Sequence, residues 1–229
     1  MGESADILVV TPHPDDAEFG VSGTVVHWVR EGKSVVYVVC SSGEKGSADR
    51  NIRPEDLART REEEQQEAAK FLGVREVVFL RYPDQALEDT PEFRKSIVRQ
   101  IRKYRPYTVV ASDPYRRYLW HRDHRISGQV TLDAIFPYAR DHLAYPGLMN
   151  EGLEPHKVKE VLLWASENPN YRSDITDTFD IKLAALQCHK SQMGNWDEIK
   201  KRVRERAEMM AEGEKFKLAE DFYHVEVWR

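Results

Sequence analysis

The chain has 229 residues, 41% apolar and 32% charged, with a formal net charge of -5. That length and balance suit one domain with a full core and exclude a disordered chain, and the negative charge argues against nucleic acid or an acidic membrane as the main partner. Two cysteines, Cys40 and Cys188, cannot build a disulfide framework, so a cytoplasmic setting is expected. No secretory leader is expected, because residues 1–6 are polar and the apolar run after them is short. Asp6 stands where a myristoylation site needs Ser or Thr, and the apolar run at 35–40 is too short to span a bilayer.

In chain order, residues 7–10 read as a first strand. Residues 21–30 read as a helix that stops at Gly32, and 34–40, with four valines and a tyrosine, as a buried strand. Residues 41–47 are loop. Residues 54–72 form a long helix closed by Gly73, and 76–80 a third strand. Residues 92–104 are helical, with Phe93, Ile97, Val98 and Ile101 on one face. A fourth strand at 107–111, a helix at 124–135, a fifth strand at 158–165, helices at 181–189 and 196–212, and a short strand at 222–228 complete the pass. Alternating strands and helices predict an α/β three-layer sandwich with a mainly parallel sheet. A single domain over 1–229 is expected, with an irregular insertion at about 137–157 that would serve as a lid or an oligomer contact.

The chemistry concentrates at two strand ends. Val9-Val10-Thr11-Pro12-His13-Pro14-Asp15-Asp16 delivers a histidine and two adjacent carboxylates directly after the first strand. His121-Arg122-Asp123-His124 follows the fourth strand. Ligands in open α/β sheets bind beyond the carboxyl ends of the strands, so both clusters fall on the functional edge. Adjacent carboxylates repel unless a cation sits nearby, and histidine is a common metal ligand. His13, Asp16 and His124 would supply two nitrogens and one oxygen to a zinc ion. Asp15 would then be free to take a proton from a water activated by that ion. His121, as imidazolium, would stabilise the oxyanion, oriented by Asp123 if the segment is extended; the converse, with His121 on the metal and His124 as the acid, fits equally well at this point.

Each motif is weak alone. Asp and Pro are ordinary turn residues, and Asp123 could be a plain helix cap. Glu62-Glu63-Glu64 reads as a solvated helix face. His27, His142, His156, His189 and His224 show no comparable grouping, and Cys40 reads as structural.

At these residues the chain resembles the PIG-L/LmbE family of zinc-dependent de-N-acetylases, which act on molecules containing N-acetylglucosamine. Pro12-His13-Pro14-Asp15-Asp16-Ala17-Glu18, followed by Gly20 and Gly23-Thr24, is similar to the family's opening motif, and His121-Arg122-Asp123-His124 to its second. Ser42-Gly43 with Gly46, Arg61-Glu62-Glu63-Glu64-Gln65, Tyr82-Pro83-Asp84, His189-Lys190-Ser191-Gln192 and Ala219-Glu220-Asp221-Phe222 resemble further family segments in the same order. The 113–157 region resembles members that deacetylate chitobiose-type sugars.

The resemblance implies a Rossmann-like fold and removal of acetyl from a small N-acetylated amino sugar. It implies His13, Asp16 and His124 as ligands of one zinc ion per chain, with another divalent metal such as iron(II) or cobalt also compatible. It implies Asp15 as general base, His121 as oxyanion stabiliser with Asp123 as its partner, and Arg61 as a residue reaching the substrate or acetate pocket. It also implies a homo-oligomer, trimer or hexamer. Arg122 stands where the family more often has proline, and its charge would favour an acidic or phosphorylated substrate group. Two other classes compete: a metal-dependent glycosyltransferase with paired aspartates, disfavoured by the lack of a nucleotide-binding glycine pattern, and a non-catalytic zinc- or sugar-binding module, disfavoured by the intact Asp15 and His121.

Overall fold

Alternate residues of a strand face opposite ways, and here both faces are apolar because helices cover both. The computed structural model describes residues 4–227. Its strands are β1 (Ile7–Thr11), β2 (Val35–Ser41), β3 (Glu76–Tyr82), β4 (Thr108–Ser112), β5 (Glu160–Trp164), β6 (Tyr171–Asp174) and β7 (Ala219–Glu226). The helices are α1 (Asp16–Gly20), α2 (Ser22–Arg30), α3 (Pro54–Leu72), α4 (Pro91–Tyr104), α5 (Arg122–Asp133), α6 (Phe179–Leu186) and α7 (Trp196–Met210). On one face Leu8, Val10, Val36, Val38, Val109 and Ala111 pack against Phe93, Ile97 and Ile101 of α4 and Val130 of α5. On the other, Ile7, Val9, Val35, Tyr37 and Val110 meet Val25 and Val26 of α2, Ala69 and Leu72 of α3, and Ala185 of α6.

The strands form one sheet in the order β3-β2-β1-β4-β5-β7-β6. The pairs from β3 through β5 are parallel, whereas β7 runs antiparallel to both β5 and β6. The α/β three-layer expectation therefore holds, with an antiparallel edge added. Strand order reverses between β1 and β4, whose carboxyl ends open the crevice in which such sheets bind ligands.

Several boundaries differ from expectation. The short polar strand β6, Tyr171-Arg172-Ser173-Asp174, lacks apolar alternation and was not foreseen; it gains its place by pairing with β7. The last strand starts at Ala219, before the expected residue 222; Trp228 lies outside the described residues. Helix α5 starts at Arg122, two residues early, because His121 caps it: its Nδ1 accepts the Asp123 N–H at 3.2 Å. Within 137–157 a short 3-10 helix spans Pro146–Glu151, and the segment is tied to the core at a few points. Leu148 is fully buried, and the buried Arg102 donates to the carbonyls of Tyr138, Ala139, Asp141 and Ala144.

Helix α5 carries the second cluster, so its seat on β4 positions the site. Gly128 makes that seat possible: a Cβ there would lie 2.3 Å from the Ser112 carbonyl oxygen. Ser112 Oγ also donates to the His124 carbonyl at 2.7 Å. Gly128→Ala must push the helix off the strand, since backbone cannot yield as a side chain does. The expected loss is about 1–3 kcal/mol in denaturant unfolding.

Candidate metal centre and active site

The first cluster is sorted by one backbone kink. Asp15 has φ 88° and ψ -25°, a left-handed conformation, and α1 begins at the next residue. The kink sends neighbouring carboxylates to different partners. Asp16 Oδ2 accepts the His13 backbone N–H at 2.9 Å and lies 3.2 Å from His13 Nδ1, while Asp16 Oδ1 lies 3.1 Å from His124 Nε2. Asp15 turns away: its Oδ2 lies 3.3 Å from Arg61 Nη2. The structure thus brings His13, Asp16 and His124 together across the gap between β1 and β4. His121 joins them at the rim, its ring 4.9 Å from that of His13 and 5.4 Å from that of His124.

Behind His13 stand two more carboxylates. Its Nε2 lies 3.1 Å from Asp84 Oδ1 and 3.2 Å from Asp123 Oδ2. Both acids are anchored by backbone donors. Asp84 Oδ2 accepts the Lys45 N–H, and Asp123 accepts the N–H groups of Gln85 and Leu87. Asp123 does not reach across to His121, as an extended segment would have allowed. The helix begins at Arg122, which separates the two side chains, and the buried Asp123 carboxylate turns to His13.

Among the described residues two donor groups could hold a metal: His13 with His121 and His124, and His13 with Asp84 and Asp123. Asp16, in neither group, touches His13 Nδ1 and His124 Nε2, and with those two rings offers two nitrogens and a carboxylate. That chemistry fits a zinc-type ion. Asp84 and Asp123 suit a different task. Accepting the Nε2–H of His13 fixes the ring and turns Nδ1 towards Asp16, the arrangement common behind metal-binding histidines.

Electrostatics agree that a cation belongs here. Burial pulls the His13 imidazole down, but Asp123, Asp16 and Asp84 outweigh it and raise its pKa to about 11. Asp16 is held well below the usual carboxylate range: burial opposes this, and His124 and His13 prevail. Burial, then the charge of Asp16, push Asp15 up to about 7, with Arg61 and His189 acting against them. His121 is shifted down by burial and by His13 and His124. That shift favours the neutral ring over the expected imidazolium. Because Nδ1 accepts the Asp123 N–H, the remaining proton sits on Nε2.

Arg61 is buried rather than on the surface. Its guanidinium donates to the carbonyls of Gly43 at 2.8 Å and Pro14 at 2.7 Å, beside Asp15. Gly43, at φ 64°, leaves room for it, since a Cβ there would lie 2.2 Å from Arg61 Nη1. Arg61 thus braces Asp15 from behind. Arg122 spends its charge locally, donating to the Leu87 carbonyl and pairing with Glu88 at 3.5 Å.

Sequence reading missed three participants. Asp84 was visible only as part of Tyr82-Pro83-Asp84. Glu64 is not on a solvated face: it is buried and accepts the N–H and hydroxyl of Ser191, while Glu63 alone of the three is exposed. His189 is fully buried, with Nε2 3.1 Å from Glu18 Oε2. Burial lowers its pKa, but Glu18 more than offsets this and the net shift is upward. A raised folded-state value gives stability that is complete below the unfolded value near 6.5 and is lost as pH rises through the folded one. Wild-type protein is therefore expected to lose more stability than His189→Gln as pH rises above about 6.5, read from denaturant midpoints.

A histidine–carboxylate cluster at the switch point of a doubly covered α/β sheet, with a separate carboxylate of raised pKa beside it, defines a metal-hydrolase type of site. The model of the family described as GlcNAc-PI de-N-acetylase, PIG-L, matches residues 8–135, more than half of the chain. Diacetylchitobiose deacetylase of Thermococcus kodakarensis is 36% identical over 81% of this chain and 69% of its own length. A probable N-acetyl-alpha-D-glucosaminyl L-malate deacetylase of Bacillus anthracis is 28% identical over 84% of this chain and 83% of its own. The solved N,N'-diacetylchitobiose deacetylase of Pyrococcus horikoshii superposes with a TM-score of 0.93 at 30% identity, covering 97% of this chain and 84% of that one. The chain belongs to the PIG-L family of de-N-acetylases.

Proposed function

We propose that the chain is a zinc-dependent hydrolase that removes acetyl from an N-acetylglucosamine unit of a small glycoside, giving acetate and a free amine. The observation that carries this is the division of labour at the kink, with Asp16 facing two imidazoles and Asp15 facing Arg61. His13, Asp16 and His124 would hold the ion, which when bound lowers the pKa of water and polarises a carbonyl. Asp15, with a pKa near neutrality, takes a proton from the attacking water and returns it to the nitrogen of the leaving amine. The neutral His121 presents its Nε2–H to the amide oxygen as negative charge grows there. Asp84 and Asp123 hold the His13 ring with Nδ1 towards Asp16. Arg61 steadies the base from behind.

The name of the T. kodakarensis relative supports a chitobiose-type substrate, and the Bacillus relative a malate glycoside. We take the chain as one domain and its setting as cytoplasmic; no helix among the described residues is long and apolar enough to cross a membrane. A homo-oligomer, trimer or hexamer, stays part of this reading, and the exposed apolar side chains of Tyr118 and Leu119, each 94% exposed, are where a contact between copies would be sought. Acetate release from a panel of N-acetylglucosamine conjugates, before and after chelation and zinc restoration, tests the proposal. Release from at least one conjugate that is lost on chelation and regained with zinc is expected, and no release from any would refute it.

A further inference from the structure

A non-glycine residue in a left-handed conformation persists only where its surroundings over-determine it. For Asp15 the surroundings are a clamp on one peptide group. The carbonyl of the Pro14–Asp15 peptide accepts Arg61 Nη2–H at 2.7 Å, and its N–H donates to Gln65 Oε1 at 2.9 Å. Arg61 and Gln65 lie four residues apart on α3, so both side chains rise from the same helix face.

A glutamine can point its oxygen or its nitrogen at a neighbour with little change of shape. Glu18 removes that freedom. Gln65 Nε2–H donates to Glu18 Oε1 at 3.0 Å, and the Asp15 N–H can only donate, so the amide nitrogen faces Glu18 and the amide oxygen faces Asp15. Glu18 is fixed in turn by His189, whose Nε2–H donates to Oε2 at 3.1 Å. Glu18, Gln65 and His189 are each fully buried. Water therefore cannot substitute for any member of the series. The series also joins distant parts of the chain: α1, the middle of α3 and the segment after α6 converge on the one peptide that precedes the base.

We infer that the Gln65–Glu18–His189 series is the device that aims the Asp15 carboxylate, with Gln65 as its positioning residue. This rests on the reading of Asp15 as general base. None of the three touches substrate; they act by holding the backbone that carries Asp15. A small misplacement of a reacting group lowers the rate steeply, so the effect belongs in kcat and not in substrate affinity.

Gln65→Leu keeps the volume and deletes both hydrogen bonds. Its kcat is expected to fall about 100-fold, the scale of a misplacement near 1 Å. KM should stay within about threefold, and metal content should be unchanged, since no donor atom is touched. A merely structural role would lower the thermal midpoint and leave the kcat of the folded fraction intact.

Polarity reversal supplies the second test and covers the case where Gln65→Leu does not fold. In Gln65→Glu alone, two carboxylates oppose each other and kcat should drop. Adding Glu18→Gln restores the series with the bond between positions 65 and 18 reversed: the new carboxylate at position 65 accepts the Asp15 N–H, and the new amide at position 18 donates to it while accepting from His189. Recovery of kcat in the double variant to within about tenfold of wild type supports the inference. A double variant no better than Gln65→Glu, or Gln65→Leu with wild-type kcat, overturns it. Inactive Asp15→Asn beside a fully active Gln65→Leu would sink this inference and leave the base intact; activity in both would sink the base reading itself.

Discussion

Asp15→Asn is expected to lower kcat about 10³-fold, within the range that a positioned general base contributes, while leaving metal content and thermal midpoint close to wild type. Asparagine is chosen for three reasons. It tolerates the left-handed backbone at this position, where φ is 88°. Its amide oxygen can still accept from Arg61, so the brace on the loop survives. It cannot take a proton from water at neutral pH. The carboxylate is not among the groups facing His13 Nδ1 and His124 Nε2, which both lie against Asp16. Steady-state acetate release with parallel elemental analysis reads both quantities. Activity within tenfold of wild type would remove Asp15 from the chemistry; loss of metal together with activity would make it a ligand.

Asp16→Ala is expected to abolish stoichiometric metal binding, because it removes the one carboxylate that touches both crevice-facing nitrogens. Asp84→Asn should do less. The new side chain can still accept the Nε2–H of His13, and loss of such an outer hydrogen bond lowers metal affinity by about 10- to 100-fold. The order of the two effects discriminates between the possible donor groups. If His13, Asp84 and Asp123 were the metal site, Asp84→Asn would lose the metal and Asp16→Ala would keep it. Equilibrium dialysis against zinc with both variants gives the order directly. The anchoring of Asp84 and Asp123 by backbone N–H groups is the physical reason to expect Asp16 to dominate.

The site was legible in the sequence where chemistry is dense and local. His13, Asp15 and Asp16 stand within four residues after a strand, and His121 and His124 follow the strand that pairs beside it; strand order then brings the two clusters together. The α/β sandwich was legible because buried strands such as Val35–Ser41 are continuous apolar runs and α4 keeps one apolar face. What stayed hidden depends on long-range geometry. Asp84 lies seventy-one residues from His13 and contacts it only because β3 ends beside the crevice. Glu18 and His189 are 171 residues apart, and nothing in either neighbourhood marks them as partners. Glu64 looked like part of a solvated run because three adjacent glutamates hide the helical period, on which Glu64 points inward and Glu63 outward. Arg61 is expected to reach substrate, and its place beside the base, with Nη1 on the Gly43 carbonyl and Nη2 on the Pro14 carbonyl, depends on loops far from it in sequence. His121 and Asp123 were paired on the premise of an extended segment, and the early start of α5 cancels that premise.

The central claim is that one carboxylate of the opening motif activates water while its neighbour holds the metal, and that together they cleave an N-acetyl group. Quantifying acetate and new primary amine together tests this most directly, using zinc-loaded wild type and zinc-loaded Asp15→Asn on N,N'-diacetylchitobiose. The account predicts acetate and amine in equal amounts from wild type, and a rate about 10³-fold lower from the equally metal-loaded variant. Equal rates from the two proteins, or no acetate from wild type on this or any other N-acetylglucosamine conjugate, would contradict it.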